Sequence, residues 1–272
     1  MAKKKRVADG QAHASRGMIP NITLNRKARV GGKTEDELLL ERRKLVQPTP
    51  RVPEQAEFTR GDPWRVLRIM GEFVGAFDAL AEVGAAVTSF GSARTLESDP
   101  MYQAARELAG RLAHSGFAVI TGGGPGIMEA ANRGAREADG LSIGCNIELP
   151  QAQGINPYVD VAVNFRYFFC RKTSFVKYSE GFVLFPGGFG TLDELFESLT
   201  LIQTEKIRRF PVILFGSTYW SGLWAWMKEQ VLAGGKISVG DLDLVSVTDS
   251  TQEACRIVVD AYERDAASAA AP

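Results

Sequence analysis

The chain is poor in the residues from which many active sites are built. Of its 272 residues only two are histidine, His13 and His114, and only three are cysteine, Cys145, Cys170 and Cys255. His13 lies in a basic N-terminal stretch and His114 near the end of an expected helix, both away from any glycine-rich turn. A histidine-dependent triad or a histidine-ligated metal is therefore not expected. The cysteines are odd in number, widely spaced and without a Cys-x-x-Cys pair, which argues against both a disulfide framework and a zinc cluster. No apolar run approaches the roughly 20 residues needed to span a bilayer. No apolar stretch follows Lys3-Lys4-Lys5-Arg6, as a secretory leader would require. The expectation is a cytoplasmic protein with no membrane partner.

Net charge is absent too, but the balance is uneven along the chain. Residues 1–60 hold 14 Lys and Arg against 7 Asp and Glu, and the remainder holds 18 against 25. The N-terminal stretch also contains Pro20, Pro48, Pro50 and Pro53 and few aromatic residues. It reads as a basic, mostly disordered arm, with room for one short helix from Glu35 to Leu45. A basic arm can touch nucleic acid, but without aromatic or motif content the solvated-tail reading is preferred, and nucleic acid is not expected as a partner.

From residue 61 onward the pattern changes to short apolar runs alternating with helical periodicity. Strands are expected at Ala85–Phe90, Phe117–Ile120, Leu141–Ile147, Val159–Val163, Phe182–Phe185, Pro211–Phe215 and Leu242–Val247. Helices are expected between them, with a last one from Gln252 to Arg264. This predicts an α/β fold: one Rossmann-like, three-layer domain over 61–264, with a parallel sheet covered by helices on both faces, followed by a frayed tail at 265–272.

Two glycine-rich turns stand at strand-to-helix junctions: Thr121-Gly122-Gly123-Gly124-Pro125-Gly126 and Pro186-Gly187-Gly188-Phe189-Gly190-Thr191. Bare backbone N–H groups at a helix start form an anion site, so the pair suggests a phosphorylated ligand gripped from two sides. A third junction, Gly91-Ser92, falls on the same sheet rim, where such folds bind ligands. The first turn lacks the lysine of a P-loop and the spacing of a dinucleotide fingerprint, and close helix–strand packing is the alternative explanation of its glycines. In the second, Thr191 offers either a hydroxyl or an N-cap, and Asp193 and Glu194 offer either chemistry or helix capping. Glu197, a turn further on, suits a salt bridge. Arg171-Lys172 closes the aromatic-rich run Phe165-Arg166-Tyr167-Phe168-Phe169-Cys170-Arg171-Lys172, where an arginine fork suits phosphate or ribose oxygens and an ion pair is the alternative.

Taken together, Gly122 to Met128, Arg171-Lys172 and Pro186 to Glu194 resemble the Lonely guy (LOG) family, which is widely mislabelled as lysine decarboxylase. Residues 186–194 match its PGGxGTxxE signature at every fixed position, and the resemblance covers about residues 84–260. It implies a phosphoribohydrolase that cleaves the N-glycosidic bond of a nucleoside 5′-monophosphate, a cytokinin riboside monophosphate or AMP, to free base and ribose 5-phosphate. It implies Arg171 and Glu194 as the catalytic pair. Gly187, Gly188, Gly190 and Thr191 would hold the phosphate with help from Gly122, Gly123, Gly124, Lys172 and Ser92. No metal or organic cofactor is implied. Phe169 stands where the plant-type motif has histidine, and Glu129 where the short-chain branch has glycine. Both resemble the longer-chain branch, so a homo-oligomer, dimer or hexamer, is expected. A pyridoxal-phosphate decarboxylase is not, since Lys172 is the only lysine near the motifs. The rival expectation is a non-catalytic carrier of a phosphorylated ligand such as molybdenum cofactor.

Overall fold

The computed structural model describes residues 33–40, 61–149 and 154–269. Most of the basic arm expected at 1–60 therefore lies outside the described residues. Its expected helix begins as predicted and is described as α1, Glu35–Leu40.

Helix α2 spans Asp62–Ala79. Gly61 is its N-cap, and Asp62 pairs with Arg65 inside the first turn at 2.6 Å. The body then alternates strand and helix: β1 Ala86–Phe90, α3 Pro100–His114, β2 Ala118–Thr121, α4 Ile127–Glu137, β3 Ser142–Ile147, β4 Val161–Phe165, α5 Phe168–Tyr178, β5 Phe182–Leu184, α6 Phe189–Gln203 and β6 Val212–Phe215. Helix α7, Ser217–Trp226, continues as a π-helical turn over Met227–Leu232. A short α8, Val239–Leu242, β7, Val245–Thr248, and α9, Thr251–Ala269, complete it. Several boundaries follow from local chemistry. Asp99 caps α3 by accepting the Met101 N–H at 2.8 Å, and Gly116 leaves the helix at φ 89°, a conformation that favours glycine.

All seven strands form one sheet in the order β4-β3-β2-β1-β5-β6-β7, and every pairing is parallel. Alternate strand residues face opposite layers. One layer packs Ala76 and Leu80, Phe175 of α5, Leu195 of α6 and Trp220 of α7 onto Phe90, Ile120, Phe182 and Leu214. The other packs Tyr102 and Leu112 of α3, Ile127 and Ala131 of α4 and Val258 of α9 onto Val87, Val119, Val183 and Ile213. The architecture is the expected three-layer α/β sandwich. Strand β4 lies two residues later than expected. As an edge strand it buries only alternate residues, Val161, Val163 and Phe165, and its pairing from Ile143↔Val161 to Ile147↔Phe165 selects that register.

Candidate active site

The sheet order reverses between β1 and β5. Strands 1 to 4 run outward to one edge, and the chain then returns to lay β5 on the other side of β1. Loops leaving neighbouring strands at such a switch point part company and open a crevice at the carboxyl ends. A cleft of about 600 Å³ occupies that place. Its walls come from the loop after β1 (Gly91 to Arg94), the turn after β2 (Gly122), the start of α4 (Met128), the end of β3 (Asn146, Ile147), helix α5 (Phe168, Arg171, Phe175) and the start of α6 (Gly188 to Thr191, and Glu194).

Arg171 and Glu194 both line this cleft. The Arg171 Nε–H donates to the Cys145 carbonyl at 2.8 Å, and its guanidinium lies 5.0 Å from the Phe175 ring centroid. The end of the fork rests against Gly122, where any Cβ would collide with Nη2. Gly122 is thus required here by a close approach. Burial lowers the Arg171 pKa, against the opposing pull of Cys145 and Glu194. Glu194 is 6% exposed, and its Oε2 is buried with no hydrogen-bond partner. Burial pushes its pKa up to about 7, with Lys172 and Arg171 acting in the opposite direction. A carboxyl that titrates near neutrality in a cleft, beside a fixed cation and with one oxygen unoccupied, is equipped for proton transfer or for stabilising positive charge.

The second glycine turn opens α6 with Gly188 as N-cap and no side-chain cap, leaving the helix start open to a ligand. Thr191 lies inside the first turn, and so is not the cap. Gly188, Gly190 and Thr191 line the cleft, whereas Gly187 packs tightly against the Thr191 side chain and its carbonyl accepts the Tyr219 hydroxyl at 2.5 Å. Ser92 lines the cleft, and its hydroxyl accepts the Arg94 N–H at 3.1 Å. Gly123 and Gly124 stand behind Gly122. Gly123 adopts φ 71°, a conformation that favours glycine, and a Cβ there would press on the Gly144 backbone at 3.3 Å. Lys172 turns away, with Nζ 2.8 Å from Asp193 and 2.5 Å from Glu197. Burial tends to lower its pKa, but the two carboxylates raise it overall.

The residue that shapes the first turn was not legible in the sequence. Asn156, buried in the loop before β4, donates its Nδ2 to the carbonyls of Gly123 (3.1 Å) and Gly124 (3.0 Å) and to Asn132 Oδ1 (2.9 Å). Asn132 on α4 also accepts from Thr121 and donates to Ser142. The one local hint is an Asn-Pro pair, a turn signal that says nothing of a distant glycine loop. Phe168, Phe189, Met128 and Asn146 are further cleft residues not singled out as site residues.

The family model described as possible lysine decarboxylase matches residues 128–258. Among curated proteins, the pyrimidine/purine nucleotide 5′-monophosphate nucleosidase of Escherichia coli K12 is 31% identical over 140 residues, 48% of this chain and 30% of its own length. This chain therefore spans under a third of that relative. The cytokinin riboside 5′-monophosphate phosphoribohydrolase of Mycobacterium tuberculosis is 26% identical over 162 residues, 57% of this chain and 84% of that protein. Among solved structures, the molybdenum cofactor binding protein of Rippkaea orientalis aligns at 25% identity over 64% of this chain and 93% of its own, with a TM-score of 0.47. Residues 128–258 thus match the family described as possible lysine decarboxylase, and the chain is similar at modest identity to a phosphoribohydrolase of the Lonely guy kind that its glycine motifs resemble.

Proposed function

We propose that the protein hydrolyses the N-glycosidic bond of a nucleoside 5′-monophosphate, a cytokinin riboside monophosphate or AMP, releasing free base and ribose 5-phosphate. The observation that carries this reading is Glu194: a buried cleft carboxyl with a free oxygen, its pKa pushed up to about 7 by burial, in the same cleft as Arg171. The names of the E. coli and M. tuberculosis relatives point to the same substrate class.

Breaking the bond at C1′ builds positive charge on the ribose while the base leaves with the bond electrons. The ionised Glu194 stabilises that charge and takes a proton from the attacking water. Arg171 supplies a fixed, desolvated cation for the sugar phosphate and for charge that develops on the leaving side. The start of α6, with Thr191 and the backbone of Gly188 and Gly190, receives the phosphate and so holds the ribose in place. Lys172 acts on this site through its ion pairs with Asp193 and Glu197, which fix α5 against α6.

Self-association belongs to the same proposal. Helix α2 exposes Val66, Leu67, Met70 and Val74, each at least half accessible, along one side. Such a stripe fits a face buried in a homo-oligomer.

The test is chromatography of the base released from AMP and from isopentenyladenosine monophosphate. Glu194→Gln should slow release by roughly two orders of magnitude or more, the scale of losing a positioned acid–base group. Near-normal release by that variant would sink the assignment of Glu194. No release by the natural protein from either nucleotide would favour a non-catalytic carrier of a phosphorylated ligand.

A further inference from the structure

Helix α5 delivers Phe168 and Arg171 to the cleft, yet it begins without a cap of its own: Tyr167 stands at the N-cap and its side chain accepts nothing there. A buried helix start leaves N–H donors that must find acceptors elsewhere. Three carboxyl groups gather at this helix start, all from residues N-terminal to the family match at 128–258, and Glu72 accepts its backbone donors. Glu72 on α2 accepts the Arg166 N–H at 3.0 Å and the Tyr167 N–H at 3.4 Å. The Asp36 carboxylate on α1 lies near the N–H of Phe168, the first helical residue; burial raises its pKa, and this N–H pulls it back down. Glu35 accepts the Tyr167 hydroxyl at 3.2 Å and is itself held by Arg68 at 2.7 Å. Acids at a helix start also suit the positive end of its dipole.

Helix α1 is otherwise lightly held. It is six residues long and has no fully buried residue, with Leu39 packed against the core. Among the described residues its polar links to the domain include Glu35, to Arg68 and to the Tyr167 hydroxyl, and Asp36, near the Phe168 N–H. Arg171 lies one turn further on, with its guanidinium already against Gly122. A small shift of α5 would move that guanidinium within the cleft, and small misplacements at a reacting centre are expensive.

We propose that Glu35 and Asp36 on the N-terminal segment, with Glu72, form a positioning clamp on α5 that sets the place of Arg171 and Phe168 in the cleft. The segment outside the family match is thereby part of the working site without touching substrate. The kinetic half of this inference rests on the nucleotide-hydrolase reading; the structural half does not.

The experiment compares two full-length double variants. In one, Glu35→Ala and Asp36→Ala remove the acceptors. In the other, Glu35→Gln and Asp36→Asn keep an acceptor oxygen at each place. Amide hydrogen exchange is followed at residues 166–173, with β5 and α6 as internal controls, alongside kcat and KM for base release. The clamp predicts exchange at 166–173 about fivefold faster in the alanine variant, the scale of losing a helix-cap hydrogen bond. It also predicts a rise of similar size in KM, little change in kcat or in the controls, and recovery of both in the Gln/Asn variant. Unchanged exchange at 166–173, or faster exchange spread evenly over the whole domain, would overturn it. Local exchange changes in a protein that releases no base from any nucleotide would uphold the clamp while removing the proposed reaction.

Discussion

Glu194 is under two opposed demands. Its burial raises the folded-state pKa from 4.5 to about 7, so the neutral acid is the comfortable form in the folded protein. The proposed chemistry needs the carboxylate. Turnover should therefore climb as pH rises through about 7, which a pH–rate profile for base release measures. The effect on stability has the opposite sign. A carboxyl whose pKa is higher folded than unfolded contributes stability in full below about 4.5, and that contribution is lost as pH rises through 7. The loss has an upper bound of roughly 3 kcal/mol for a shift of this size. Glu194→Gln cannot ionise, so it should gain stability relative to the natural protein at pH 8 but not at pH 4.5. Urea unfolding at the two pH values checks this. Glu72, also near 7 through burial, should leave part of the pH dependence in place in the variant. These features were only partly legible in the sequence. The motif marks Glu194 and Arg171, but the orphaned Oε2 and the contact between Arg171 and Gly122 arise from packing across three strands. Lys172 has the same look as Arg171 in a linear string; only the helix geometry turns one side chain into the cleft and the other towards Asp193 and Glu197.

At the scale of elements, the two glycine turns differ in how they are held. The turn before α6 is shaped from within, by Gly187 against Thr191. The turn after β2 is held from outside by Asn156, whose amide satisfies two carbonyls and the Asn132 side chain. Asn156→Ala would leave the Gly124 carbonyl without its side-chain donor, while Gly123 keeps the backbone N–H of residue 156 and Asn132 keeps the Thr121 hydroxyl, at a cost of about 1–3 kcal/mol. The expected outcome is a lower urea midpoint with an unchanged m-value, together with weaker nucleotide binding because Gly122 is no longer fixed. Strands and helices were largely legible because each buried strand is a short apolar run and each helix has its own periodicity. The misplacement of β4 shows where this ends: Val159, Val161 and Val163 alternate over a span that fits two registers, and only pairing with β3 decides between them. The loop holding Asn156 carries no periodic signal at all.

At the scale of the molecule, the exposed stripe of Val66, Leu67, Met70 and Val74 predicts self-association. Light scattering on the purified chain should report a dimer or hexamer mass. Replacing Met70 and Val74 together by serine should shift it towards the monomer without loss of the folded far-ultraviolet spectrum. Among the described residues no helix is long and apolar enough to cross a membrane, so this stripe is not a spanning segment. The order of the strands has a further bearing on how the protein comes into being. The cleft opens beside the junction of β1 and β5, whose pairing joins Thr88 to Phe182 across everything between them in the chain. Contacts so distant in sequence are slow to form because a long loop must close first. Helices should recover early on dilution from denaturant, whereas the walls that carry Arg171 and Glu194 should come together only when that junction closes. A growing chain on the ribosome would therefore have no cleft at this place until β5 had emerged.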